Sequence, residues 1–175
     1  MSTLLELRMF AEHTLESAPA DSRPLMESTI EHFGHLPRAV ARLAESPETL
    51  GGFLRASALF EASTLDPLGR EVVVMTIAVR NGCWVCIAGH TGRLRELNAS
   101  STLIAALRSA DPLDDPRLEA LRQFTLRVLA TAGEVPQDEL MAFVDAGFTT
   151  RNALEVVLGI GTYTMSTLAN RLVRA

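Results

Sequence analysis

The sequence predicts an all-α protein. Helix-start signals recur along the chain as a serine or aspartate followed by proline, at Ser46–Pro47, Asp66–Pro67 and Asp115–Pro116. The first residue can cap the free backbone N–H groups of a helix, and proline suits the first helical position. Between these starts, apolar residues recur at spacings of three and four, as in a helix with one buried face. Counting the caps predicts about nine or ten helices in a single domain that spans residues 1–175.

The N-terminal part is predicted to contain three short helices. A loose apolar stripe indicates the first, and a break follows at residues 18–24. Pro24 is expected early in a second helix that ends near Gly34, and a third is expected from Pro37 to about Ala44. The apolar stripe of the first helix consists of Leu4, Leu5, Leu7, Phe10 and Leu15.

The helix that opens at Asp66–Pro67 has a strand-like middle. Residues 72–79 are rich in β-branched side chains, which taken alone is typical of a buried strand. A helix is favoured because the cap fits, because no second strand candidate of similar quality exists, and because Asn81–Gly82 stands where a helix would end. The preceding helix, which starts at Ser46, carries Leu50, Phe53, Leu54, Ala58 and Phe60 at helical spacing.

Three further segments follow the central stretch. One helix is predicted from Cys83 to about Asn98, and a short one from Thr102 to Ser109. The loop at 111–116 leads into the most regular amphipathic pattern of the chain, which Gly133 ends. That pattern consists of Leu118, Leu121, Phe124, Thr125, Val128 and Leu129.

The last two helices are predicted from their caps and ends. Pro136 opens a helix that stops at Ala146–Gly147, and Thr149 or Thr150 caps the final helix. Gly159 and Gly161 predict close packing of that final helix.

Bulk composition excludes several classes of protein. Hydrophobic residues make up 47% of the 175 residues, but no apolar run is long enough to span a bilayer. The first residues lack the features of a secretory signal. We therefore expect a cytoplasmic protein without membrane contact. A net charge of −5 argues against a nucleic-acid surface. All sixteen basic residues are arginine, which excludes a lysine nucleophile. Several apolar helices in so small a chain predict a homo-oligomer.

The chemistry-bearing residues concentrate between Glu71 and His90. The only two cysteines, Cys83 and Cys86, form a Cys-x-x-Cys pair, and His90 follows four residues after the second. At the start of a helix, free N–H groups and the helix dipole favour thiolate over thiol. His90 shares a helix face with Cys86 and can take its proton, and Glu71 can orient His90 if their helices pack together. A close pair in a reducing compartment therefore predicts redox chemistry.

Other interpretations of these residues stay open at this point. A zinc site would need a fourth ligand from Glu71, His13, His32 or His35, none of which lies in a second close pair. Buried cysteines can also serve as small apolar side chains, and Glu71 can be a solvated or capping carboxylate. The three N-terminal histidines lie in surface-like segments and are expected to be incidental. Trp84 is expected to pack or to line a pocket rather than to react.

The pattern of Glu71, eleven residues, Cys83-x-x-Cys86, three residues and His90 resembles the signature of alkylhydroperoxidase D-like proteins of the carboxymuconolactone decarboxylase family. Residues 46–50, 64–71, 148–157 and 168–172 extend the resemblance, which covers about residues 37–175 and leaves 1–36 as an N-terminal helical extension. It implies a helical bundle with the motif on a central helical hairpin, assembled into oligomers.

The resemblance also implies an activity. It implies a thiol-dependent peroxidase that reduces small hydroperoxides without metal, flavin or haem, and whose reductant is a dithiol or lipoyl-type protein. Cys86 would attack the peroxide, Cys83 would be its disulfide partner, and His90 and Glu71 would relay protons. Well-characterised peroxidase members carry a histidine where this chain has Val85, which leaves a dithiol carrier or sensor as the alternative. Lactone decarboxylation is not expected, since that branch generally lacks the cysteine pair.

Overall fold

The computed structural model of the protein describes residues 10–175. Within that range the secondary structure consists of one 3₁₀ turn, Ala20–Ser22, and nine α-helices, with no strand. The helices are α1 Arg23–Phe33, α2 Arg38–Leu43, α3 Pro47–Glu61, α4 Pro67–Arg80, α5 Trp84–Glu96, α6 Ser101–Ser109, α7 Pro116–Thr131, α8 Gln137–Asp145 and α9 Thr150–Leu172. The all-α prediction is confirmed.

The predicted caps form the predicted bonds. The Asp66 carboxylate accepts from the backbone N–H of Gly69 at 2.8 Å at the start of α4, which is therefore a helix and not a strand. Asp115 accepts from two N–H groups at the start of α7, and Ser100 accepts from one at the start of α6. Each bond satisfies a donor that the helix itself leaves unpaired.

The first predicted helix is absent from residues 10–19. Its residues 4–9 lie outside the described part of the chain, and residues 10–19 form bends and turns. The Thr14 backbone N–H donates to the Ser17 hydroxyl at 2.9 Å, and the Ser17 N–H donates back to the Thr14 hydroxyl. Such local side-chain bonds compete with helical hydrogen bonds, which explains the error.

Contacts divide the described residues into two compact units. One contains residues 10–55 and 169–175, and the other contains residues 56–168. The first has its own apolar core, made of Ala18, Met26, Val40, Leu43, Ala44 and Leu50. A division by contacts describes compactness and not independent folding, so the single domain stays a prediction.

Helix α4 is the centre of the second unit. It packs against α5, α6 and α7, and residues 71–78 are all buried. A helix surrounded by others needs no polar face, so its sequence becomes mostly apolar on all sides. This burial explains the strand-like composition of residues 72–79.

The two glycines predicted to permit close packing in α9 differ. A Cβ atom on Gly159 would lie 2.7 Å from Cε2 of Phe60 and 3.2 Å from Cγ1 of Val73, so the prediction is confirmed there. At Gly161 a Cβ atom would meet nothing within 4 Å, and the prediction is wrong. Two residues along a helix correspond to a turn of about 200°, so the two positions face nearly opposite sides.

Helices α4 and α5 form the central hairpin. Its connection is a Schellman motif, in which the Gly82 N–H bonds to the Val79 carbonyl and the Cys83 N–H bonds to the Ala78 carbonyl, both at 3.0 Å. Gly82 has a φ of 64°, the left-handed conformation this motif requires. In the described range, no helix combines the length and apolar character needed to cross a bilayer.

Candidate functional site

The cysteine pair lies where the hairpin turns into α5. Cys83 is the N-cap residue and Cys86 lies in the first turn, as the sequence predicts. A disulfide joins them, with their Cα atoms 5.4 Å apart. Cys83 is 1% exposed and Cys86 is 8% exposed, so Cys86 is the more accessible of the two. Because both sit at a helix N-terminus, the reduced pair would lie near unpaired N–H groups and the positive end of the helix dipole.

A carboxylate–imidazole pair joins the two arms of the hairpin. Nδ1 of His90 on α5 lies 2.9 Å from Oε2 of Glu71 on α4. The Glu71 side chain is 5% exposed and the His90 side chain is 24% exposed. An ionised carboxylate can only accept, so the Nδ1–H of His90 donates in this bond, and in the neutral form of the ring the lone pair then lies on Nε2. The His90 residue lies one helical turn after Cys86, on the same face of α5.

An aromatic side chain from α9 completes this neighbourhood. The Tyr163 ring lies 5.4 Å from the His90 ring, centroid to centroid, at an interplanar angle of 84°. Tyr163 is 4% exposed, and its hydroxyl lies 3.4 Å from the Ser57 hydroxyl. Burial raises the pKa of Tyr163 to about 12, so the phenol is neutral in the physiological range. The sequence marks Tyr163 only as the single tyrosine of the chain and does not place it near the hairpin.

The structure places the four residues expected from the sequence on one hairpin, as two pairs in direct contact, Cys83–Cys86 and Glu71–His90. Glu71, Cys83, Cys86 and His90 all lie on the α4–α5 hairpin, and their roles stay predictions. Trp84 is 77% exposed, so the expectation that it packs or lines a pocket is wrong. Cys83, Cys86 and Ile87 occupy the inward face of the first turn, which leaves position 84 to face outward.

The N-terminal histidines lie in different surroundings. His32 and His35 are exposed, as expected. His13 is not a surface side chain, because it is 11% exposed and its Nε2 lies 2.8 Å from Oε2 of Glu45. Among residues 10–175, no group of three or more histidine, cysteine, aspartate or glutamate side chains is placed to hold a metal ion.

Solved structures share this fold. An uncharacterized peroxidase-related protein from Ralstonia eutropha JMP134, described as an alkylhydroperoxidase AhpD core, is similar with a TM-score of 0.82 and 20% identity, over 93% of this chain and 88% of that one. An uncharacterized peroxidase-related protein from Silicibacter sp. TM1040 is similar with a TM-score of 0.75 and 20% identity, over 89% of this chain and 84% of that one. No protein of curated function matches the chain significantly.

The helical architecture and the Cys-x-x-Cys hairpin define an all-α protein with the alkylhydroperoxidase D-like fold. The model of the carboxymuconolactone decarboxylase family matches residues 44–127, a range that contains the whole hairpin. This part of the chain is thus similar to that family, and the fold is the one described for the alkylhydroperoxidase AhpD core.

Proposed function

We propose that this chain is a thiol-dependent peroxidase that reduces small hydroperoxides through reversible formation of the Cys83–Cys86 disulfide. The observation that carries the proposal is the position of this disulfide on the hairpin that also holds the hydrogen-bonded Glu71–His90 pair. A nucleophile, a base and a group that orients the base are the parts that nucleophilic catalysis needs.

In the first step Cys86 is the attacking thiol. His90 takes the thiol proton through Nε2, and Glu71 stabilises the resulting imidazolium through Nδ1. The Cys86 thiolate attacks the terminal oxygen of the hydroperoxide, the O–O bond breaks, and the leaving alkoxide takes the proton from His90. The products are an alcohol and a sulfenic acid on Cys86. The greater exposure of Cys86 favours it over Cys83 for the encounter with peroxide.

In the second step Cys83 resolves the sulfenic acid. Its thiolate attacks the Cys86 sulfur, the S–O bond breaks, and the released hydroxide leaves as water with the Cys83 proton. The sum converts one hydroperoxide and two thiols into one alcohol, one water and the disulfide. A dithiol, free or carried on a lipoyl-type protein, then reduces the disulfide by thiol exchange, so the cycle needs no metal, flavin or haem.

The test follows the fluorescence of Trp84. It is the only tryptophan and it adjoins Cys83, so its emission is expected to change as the disulfide forms. Reduced protein is mixed with an organic hydroperoxide, and the fluorescence change is compared with the loss of titratable thiols. The wild-type chain is expected to lose both thiols and to recover them with a dithiol.

Variants assign the roles. Cys86→Ser is expected to abolish the reaction with peroxide, and Cys83→Ser to stop it at the sulfenic acid, which a dimedone-type reagent traps. His90→Gln is expected to slow the first step by about 10²- to 10⁴-fold, the usual contribution of a general acid–base group. His32→Gln removes an exposed histidine and serves as the matched control. Peroxide reduction that survives both cysteine changes would refute the proposal.

A dithiol carrier or sensor is the second candidate. Val85 leaves the relay with one histidine, and Trp84 presents a large apolar surface beside the disulfide, where a partner protein would dock. In this case a protein dithiol would exchange with the pair far faster than hydroperoxide oxidises it. Trp84→Ala would then slow exchange with the protein and leave exchange with a small dithiol unchanged.

Self-association is a further part of the proposal. Leu154, Val157 and Leu168 are 73%, 49% and 55% exposed on α9, and burying them requires another surface. A second copy of the chain is the proposed partner, and light scattering after size exclusion measures the assembly. Leu154→Asp is expected to reduce the mass of the assembly.

A cysteine pair that must be reduced again after each cycle also favours a cytoplasmic location, since that compartment keeps thiols reduced.

A further inference from the structure

We propose that Tyr163 is a positioning residue that holds the His90 ring in the orientation needed for proton transfer to and from Cys86. This inference rests on the proposed peroxidase function. The contact that carries it is the nearly perpendicular approach of the two rings, with centroids 5.4 Å apart. Perpendicular arrangements suit the charge distribution of aromatic rings.

His90 needs a second constraint. The hydrogen bond to Glu71 holds Nδ1 of His90 2.9 Å from Oε2 of the carboxylate, but it leaves the ring able to pivot about that bond. Such a pivot moves Nε2, the atom that exchanges protons with Cys86, most of all. The Tyr163 ring, set at 84° to the imidazole, limits this tilt. Together the carboxylate and the phenol ring define both the place of the imidazole and its plane.

Tyr163 is itself held by its surroundings. The Phe60 ring lies 5.8 Å from it at 72°, and the Ser57 hydroxyl lies 3.4 Å from its own. Phe60 is fully buried. Gly159, one turn before Tyr163 on α9, lets the Phe60 ring lie against the helix backbone, since a Cβ atom there would be 2.7 Å from it. The aromatic support of His90 thus extends from Phe60 through Tyr163.

The ring of Tyr163, and not its proton, performs this role. Its raised pKa keeps the phenol neutral at physiological pH, and its hydroxyl lies beside that of Ser57. Glu61, Glu71 and Arg70 are the charged groups that act on it. Phenylalanine keeps the ring and is therefore expected to preserve the function.

The experiment compares three substitutions by single-turnover oxidation of the reduced full-length protein with an organic hydroperoxide. Tyr163→Leu and Tyr163→Met remove the ring and are expected to slow oxidation by about 10- to 100-fold, the cost of misplacing a reacting group slightly. Tyr163→Phe is expected to stay within about 3-fold of the wild-type rate. Methionine is included because its flexible side chain can fill the space if the leucine variant does not fold.

A double-variant cycle separates positioning from general damage. In the His90→Gln background, Tyr163→Met is expected to cause no further loss, because the residue that it positions is absent. An equal loss in both backgrounds would overturn the inference, and so would a wild-type rate in both Leu and Met variants. A wild-type protein that does not react with hydroperoxide would instead refute the proposed function, and this inference with it.

Discussion

Gly159→Ala is a substitution whose effect the structure predicts in sign and size. The added Cβ atom would lie 2.7 Å and 2.9 Å from two carbons of the Phe60 ring and 3.2 Å from Cγ1 of Val73. Phe60 and Val73 are fully buried, so neither can swing into solvent to make room. The helix or the ring must therefore shift.

Two opposing terms set the magnitude. Alanine is a better helix former than glycine, which stabilises the folded state by about 0.8–1 kcal/mol. Overpacking a well-filled core costs about 1–3 kcal/mol. The net result is a free energy of unfolding lowered by up to about 2 kcal/mol, by subtraction of these two terms.

Gly161→Ala is the matched control. It lies two residues away in the same helix, is exposed, and has nothing within 4 Å of the new atom. Within one chain it gains only the helix-propensity term and is expected to stabilise the fold by up to about 1 kcal/mol. Because Gly161 shares a helix face with Leu154, Val157 and Leu168, this comparison requires that the assembly is unchanged. Because that term is common to both variants, their difference isolates the packing cost of about 1–3 kcal/mol.

Urea unfolding of the wild-type chain and both variants measures these values. The midpoints are compared at unchanged slope, after size exclusion has shown the same assembly for all three proteins. A difference of 1 kcal/mol corresponds to about 2–4 °C in melting temperature for a chain of this size. A Gly159→Ala protein as stable as Gly161→Ala would refute the packing argument.

Two further predictions concern hydrogen-bonded carboxylates. Glu155→Ala is expected to lower the free energy of unfolding by about 1–3 kcal/mol, because the buried Asn152 amide donates to this carboxylate at 2.9 Å and would lose that partner. In urea unfolding Arg151→Ala, which removes only an exposed partner of Glu155, should cost less than about 0.5 kcal/mol, and equal losses would contradict this reasoning. The hydrogen bond from Arg122 lowers the pKa of Glu119 to about 2, so the stability that it contributes is complete above about pH 4.5 and is lost as the pH falls towards 2. Glu119→Gln should therefore flatten the stability profile between pH 4.5 and 2, and an unchanged profile would show that other groups control acid unfolding.

The sequence by itself determined the helices and the hairpin that carries the cysteine pair. Caps such as Asp66 bond to backbone groups within three residues, so helix starts can be predicted from a short stretch of sequence. The spacing of Cys83, Cys86 and His90 fixes their placement on one helix for the same reason. Local chemistry also explains the one missed segment, where the bonds between Thr14 and Ser17 replace a helix.

Only the tertiary structure decided what depends on distant parts of the chain. The strand-like run of α4 is explained by burial on all sides, and Gly159 and Gly161 are equivalent in sequence but face different surroundings. Tyr163 lies 73 residues from the His90 ring that it contacts, and no periodicity marks that contact. Such pairs arise from how helices pack, and packing is set by the whole set of buried faces and not by any one segment.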